Sequence, residues 1–327
     1  MTFGIEEEVF VTEPLLPTTR SLYYLAKLLW RNPKRNFRLT ASNFARGKDL
    51  RYGMMSAVEI ATNICHSPEH AVSDLRRLRQ ELLSVTEGYV VACGHLLQID
   101  TPTNVAALQV HIGGTKDIEK SYDNLAHFMP LLMLLCANSP MKNLERWGQS
   151  YRCAVGYATG ALTGNRLQRF QDLIISRRLG TIELRALDPV PCTSRISYLL
   201  ECAQAICNLD HHFPLELEKY AKLRQKVIKT GLDEDTELLW KELSQIVDLP
   251  HELFTITQAD ATWNIFQKKG LQETYAHLDK LYRGCDFAPP NRSAFAKKFL
   301  QPAAGFLGYY LPKFPYITYK WLKEKDA

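Results

Sequence analysis

Three consecutive glutamates stand near the start of the chain, in Gly4-Ile5-Glu6-Glu7-Glu8-Val9-Phe10. Their β-branched and aromatic neighbours predict a strand, where alternate side chains share a face. Glu6 and Glu8 then point one way, and Ile5, Glu7 and Val9 the other. Two carboxylates side by side repel and cost stability unless a cation lies between them. Hard divalent cations prefer carboxylate oxygens and are commonly shared with substrate phosphates. Spacing alone leaves an exposed acidic strand edge open as well. Val58-Glu59-Ile60-Ala61-Thr62 places a lone carboxylate in an apolar, strand-like run, and Thr181-Ile182-Glu183-Leu184-Arg185-Ala186-Leu187-Asp188 does so again. Glutamate fits a sheet interior poorly, so acids at Glu6, Glu8, Glu59 and Glu183 on three strands suggest a metal-lined sheet. Glu183 and Arg185 share a face, and a structural ion pair between them is the plainer reading. Leu108-Gln109-Val110-His111-Ile112-Gly113 adds Gln109 and His111 on one strand face. A lone histidine on an apolar strand is ordinarily a satisfied core residue; beside a carboxylate cluster it becomes a reasonable ligand or nucleotide contact.

The elements that must position these groups are legible in outline. Strands are expected over residues 3–12, 36–40, 57–62, 96–99, 106–112 and 181–187. Ser67-Pro68 opens a helix, serine as N-cap and proline at the first helical position. Apolar residues at Val72, Leu75, Leu78, Leu82, Leu83 and Val85 carry it to about Cys93, where Gly94 stops it. A Leu- and Met-rich helix covers residues 117–137. After Ser194 helical periodicity takes over, at 196–209, 215–230, 234–247, 259–269, 271–281 and 292–300. The expected class is α+β, an antiparallel sheet flanked by helices with a helical C-terminal part. The expected division is a catalytic region over 1–210 and a helical region over 211–327 packed on it, with the joint near Asp210 to Pro214.

Composition bounds the function. The chain has 327 residues, 46% apolar and 23% charged, ordinary values for a globular protein. The longest apolar run, around Leu131–Leu135, falls short of the roughly 18 residues a membrane span needs. The acidic N-terminus lacks the basic and apolar regions of a signal peptide, so a cytoplasmic location is expected. The net charge of +5 is spread along the chain, with a C-terminal cluster at Lys297, Lys298, Lys313, Lys320 and Lys323. That pattern reads as a solvated basic surface and not a nucleic-acid site, and a mild positive field suits an anionic nucleotide. Eight cysteines without a Cys-x-x-Cys pair read as reduced, buried small hydrophobes. No P-loop, Gly-x-Ser-x-Gly or Cys–His signature is present.

Taken together, FGIEEEVFV at 3–11, VEIATNIC at 58–65, LQVHIG at 108–113, LLCANSPM at 134–141, SYR at 150–152 and RRLGTIELRALDPVP at 177–191 resemble the type 2 glutamate–cysteine ligase family of carboxylate–amine ligases. The pieces keep the family's order over roughly the first 210 residues, and ATWNIFQKKGL at 261–271 resembles its helical C-terminal part. The resemblance implies a glutamine synthetase-like fold, a curved antiparallel sheet holding Mg²⁺ (or Mn²⁺) between ATP and an amino-acid carboxylate. It implies metal ligands at Glu6, Glu8, Glu59, Gln109 and Glu183, with Glu183 also catalytic. Arg185 would lie at the transferred phosphoryl group, and Arg178 and His111 at the nucleotide. Arg152 would lie at the substrate carboxylate. The implied reaction activates a carboxylate, such as the glutamate γ-carboxylate, as an acyl phosphate that an amine such as cysteine attacks. The partners would be these small molecules and, for assembly, further copies of the chain. Family members carry a second Glu where this sequence has Tyr52, with Asp49 nearby as a substitute acid. That departure leaves a second reading, a catalytically weak nucleotide- or amino-acid-binding relative with a regulatory or structural role.

Overall fold

The computed structural model describes residues 1–12, 36–39, 57–86, 88–100, 105–156 and 158–284, with 307, 311–315 and 318. Tyr52, Asp49, the expected helix over 292–300 and most of the C-terminal lysine cluster lie outside them. The centre of the fold is β1 (Thr2–Thr12). It pairs antiparallel with β3 (Ala57–Ala61), β4 (Tyr89–Val91) and β5 (Leu108–Gly113). The sheet runs β2 (Phe37–Leu39), β3, β1, β5, β9 (Thr181–Leu187), β8 (Leu173–Ser176), with β4 on β1. Every described strand pairing in this sheet is antiparallel.

One face of the sheet is covered by helices. Ile5, Val9, Val58, Ile60, Val110, Ile112 and Leu184 are buried there, in one apolar cluster with α1 (Pro68–Val85), α2 (Ile118–Leu135), α4 (Thr193–Cys207) and α5 (Leu217–Lys229). That cluster runs without a break from residues before 210 into residues after it. Glu7 sits at the same interface and is fully buried. Its carboxylate accepts Arg79 Nε and the Tyr282 hydroxyl, both at 3.0 Å, and is ion-paired with Arg79 Nη2. Arg79 also donates to the carbonyls of Val190 and Pro191 and lies over the Tyr282 ring. A glutamate on the core side of a strand is thus fully partnered, as a buried charge must be.

The α1 cap is as expected: Ser67 accepts the His70 amide at 3.2 Å, and Pro68 begins the helix. The helix ends at Val85, eight residues before Cys93, because Tyr89–Val91 are taken by β1. Residues 96–99 form no strand; instead, one bridge joins His95 to Val105. The two expected helices, 259–269 and 271–281, lie within Gln258–Arg283 (α8) and part at Gly270, whose φ of 77° and ψ of −179° are not helical. Gly270 supplies a backbone conformation that side-chain-bearing residues rarely adopt. A second apolar cluster of Phe10, Val91, Leu97, Tyr275 and Leu278 packs α8 against the far end of β1. Two short elements precede β8. One is a hairpin of β6 (Met141–Lys142) and β7 (Glu145–Arg146), and the other is α3 (Tyr151–Val155), capped by the Ser150 hydroxyl. Two short helices, α6 (Glu234–Ser244) and α7 (Glu252–Thr255), lie between α5 and α8. Among the described residues, no helix is long and apolar enough to cross a membrane.

Candidate active site

The face of the sheet away from the helices forms the floor of a cleft of about 720 Å³. Strand alternation puts Glu59 of β3, Glu6 and Glu8 of β1, Gln109 and His111 of β5, and Glu183 and Arg185 of β9 along it. Antiparallel register brings Glu8 opposite Glu59, Glu6 opposite Gln109, and His111 opposite Glu183. All the acids that sequence spacing singled out therefore share one cleft. They form two groups: Glu6 and Glu183 on either side of Gln109, and Glu8 opposite Glu59.

In the first group, Gln109 lies between two carboxylates. Turned so that its nitrogen faces them, its amide donates to Glu6 Oε2 at 3.3 Å and to Glu183 Oε1 at 3.0 Å. In the opposite orientation its oxygen faces the same two groups. Glu183 is also ion-paired to Arg185, whose Nε is 3.4 Å from the Ala158 carbonyl. His111 Nδ1 is 3.5 Å from Thr181 Oγ1, while its buried Nε2 has no hydrogen-bond partner and lies 3.9 Å from Glu6 Oε1. A buried nitrogen left without a partner is costly and points to a missing group. In the second group, Glu8 Oε2 accepts the Ala107 amide at 2.8 Å. Burial pushes the Glu8 carboxyl up to about 7, and nearby Glu6 pushes the same way; Arg152, the Ala107 amide and Arg185 pull against it.

Among the described residues, no three His, Cys, Asp or Glu side chains are gathered tightly enough to hold an ion as they stand. The donor set still suits Mg²⁺, which uses one or two carboxylates and completes its shell with water and substrate phosphate. Glu6, Glu183, a rotated Gln109 and the unpartnered His111 Nε2 would form one such set, and Glu8 with Glu59 another.

Arginines line the mouth. The hairpin β8–β9 turns through Arg177-Arg178-Leu179-Gly180, with Gly180 at φ 63° and its amide bonded to Ser176 O at 2.8 Å. Arg169, Arg177 and Arg178 border the cleft, are exposed, and have no acidic partner among the described residues. The sequence reading named Arg178 alone. The adjacent Arg177 and the left-handed Gly180 closing a tight turn were the available signals for the rest. Arg152 borders the floor but is only 3% exposed. Its Nη2 donates to Arg185 O at 2.8 Å and its Nη1 to Leu187 O at 3.2 Å. Both bonds run to the backbone of β9. Of seven described cysteines none is in a disulfide; six are buried, but Cys192 is exposed.

No protein-family model matches the chain, and a search of curated proteins by sequence returns no match. Solved structures do resemble it. Glutamate–cysteine ligase from Francisella tularensis, in complex with AMP, superposes with a TM-score of 0.63 at 12% identity, over 99% of this chain and 98% of that one. A bifunctional glutathione synthetase from Pasteurella multocida gives 0.54 at 13% identity, over 86% of this chain and 51% of that one. The chain thus has the fold of the glutamate–cysteine ligase structure, an antiparallel sheet flanked by helices.

Proposed function

We propose that the chain is an ATP-dependent carboxylate–amine ligase. It activates a carboxylate, the γ-carboxylate of glutamate by the resemblance, as an acyl phosphate and couples it to an amine such as cysteine. The observation that carries this reading is a cleft with paired acids on its floor and, at its mouth, arginines without an acidic partner among the described residues, in a fold similar to a glutamate–cysteine ligase.

The first step brings two anions together, a carboxylate and the ATP γ-phosphate, so the site must supply positive charge where the bond forms. Arg185 presents a planar fork that matches phosphoryl oxygens in two-point contact. Its pairing with Glu183 holds the fork over the sheet until phosphate competes for it. Arg177, Arg178 and Arg169 raise the local concentration of anions at the mouth, and His111 offers Nε2 to the nucleotide or its ion. A divalent cation, held by Glu6, Gln109 and Glu183 or by Glu8 and Glu59, would supply further neutralisation of phosphate charge when bound. Attack of the amine on the acyl phosphate then forms the amide and releases phosphate, with no protein nucleophile needed.

The test is phosphate release with ATP, Mg²⁺ and a panel of amino acids and amines, with mass spectrometry of the product. Release that requires both a carboxylate and an amine, with formation of their amide, is expected. Nucleotide binding without turnover on any pair would instead favour the weak-binding relative. In the active protein, Arg185→Lys should lower kcat by on the order of 10²-fold, since it removes a charge-stabilising fork. Nucleotide affinity should change far less; an effect on Tm alone would mean that Arg185 only pairs Glu183.

A further inference from the structure

The register between β5 and β9 slips beside Arg185. Val110 pairs with Leu184 and Leu108 with Leu187, so two steps on β5 face three on β9. The extra residue lies at Arg185–Ala186, and as a result the consecutive Ala186 and Leu187 are both buried in the core. A bulge leaves ladder groups unpaired and re-aims a side chain, and buried carbonyls must then find other donors.

α3 supplies them. Arg152 Nη2 donates to Arg185 O at 2.8 Å, Cys153 Sγ to Ala186 O at 3.4 Å, and Arg152 Nη1 to Leu187 O at 3.2 Å. On the other edge the Arg185 amide donates to Asp172 O at 2.8 Å. Both sides are anchored by buried charge. Asp188 lies 3.7 Å from Arg152 Nη1 and accepts the Asn138 amide and the Ser139 and Ser150 hydroxyls. The Asp172 carboxylate is ion-paired to Arg224 and accepts the Tyr220 hydroxyl at 2.7 Å. Arg224 Nη2 closes the ring by donating to Cys153 O at 2.7 Å, back on α3.

We propose that Arg152 and Arg224 are positioning residues: together they hold the bulge that aims Arg185 into the cleft, and neither contacts substrate. This rests on the ligase reading, and it replaces the direct substrate contact expected of Arg152. A guanidinium bridges two carbonyls at fixed spacing; an ammonium cannot.

The experiment compares wild type, Arg152→Lys and the milder Cys153→Ala. Turnover is read as kcat and KM for the carboxylate, and the Arg185 Nε–H is read by NMR, assigned through Arg185→Lys. Misplacement of a catalytic group by about 1 Å costs on the order of 10²-fold. Arg152→Lys should therefore lower kcat by on the order of 10–100-fold with KM for the carboxylate within about twofold. The Arg185 signal should broaden or shift in both variants, and Arg152→Lys combined with Arg185→Lys should be no worse than Arg185→Lys alone. A raised carboxylate KM with unchanged kcat, or an unperturbed Arg185 signal, would overturn the proposal. The NMR arm needs no turnover, so it decides the positioning role even where wild type shows no ligase activity and the ligase reading itself fails.

Discussion

Glu6, Glu7 and Glu8 are chemically identical neighbours, yet replacing them should have opposite consequences. Consider Glu7→Gln, which keeps the shape and removes the charge. Glu7 is fully buried and binds Arg79 through both oxygens, with Tyr282 as a third donor. Removing one partner of a buried ion pair costs roughly 3–5 kcal/mol, because the other charge stays desolvated. Arg79 retains the carbonyls of Val190 and Pro191 at 2.9 and 2.7 Å, which places the loss near the lower end, about 3 kcal/mol. At about 2.1 cal/mol/K per residue the unfolding entropy of a chain of 327 residues is roughly 0.7 kcal/mol/K. The midpoint should then fall by about 4–5 °C, as long as unfolding is cooperative. Calorimetry gives the midpoint, and titration of Mg²⁺–nucleotide gives affinity, which should stay within about threefold since Glu7 faces away from the cleft. Glu6→Gln should do the reverse, leaving the midpoint and weakening the Mg²⁺-dependent binding. A drop of under about 1 °C for Glu7→Gln, or a loss of nucleotide affinity matching that of Glu6→Gln, would refute the reasoning.

The Glu8 carboxyl, pushed up to about 7 by burial from an ordinary 4.5, sets a pH dependence in metal-free protein. The folded state holds this proton more tightly than the unfolded one. The contribution is fully present below 4.5 and is lost as pH rises through about 7, a decline of roughly 3 kcal/mol. Glu8→Gln should flatten that decline in a series of melts from pH 4 to 8, and added Mg²⁺ should offset it in wild type; a parallel decline in the variant would assign it elsewhere. At Gly94, a Cβ would overlap the Asp188 carboxylate and sit 2.9 Å from Ser139 Oγ. Gly94→Ala should therefore destabilise by roughly 1–3 kcal/mol through overpacking, read by urea denaturation, and an unchanged midpoint would mean that the loop gives way freely.

Much of the site was legible because strand alternation is a local rule. The two-residue period separates Glu6 and Glu8 from Glu7, and Glu183 and Arg185 from Leu184, before any partner is known. The Ser67-Pro68 helix start is equally local, since an N-cap satisfies amides within its own first turn. Tertiary structure decided what depends on residues far away in the chain. Residues 89–91 keep helical company in sequence, but pairing with Phe10–Thr12 makes them a strand. Register across the sheet decided how the acids are grouped, Glu8 opposite Glu59 and Glu6 opposite Gln109. The backbone partners of Arg152 could not be read from sequence, because the bulge in β9 supplies the carbonyls that engage it. Which face a side chain takes is set by its own backbone and its nearest neighbours. Which group it meets there is set by pairings across tens to hundreds of residues, and their energies exist only once the sheet has closed around them.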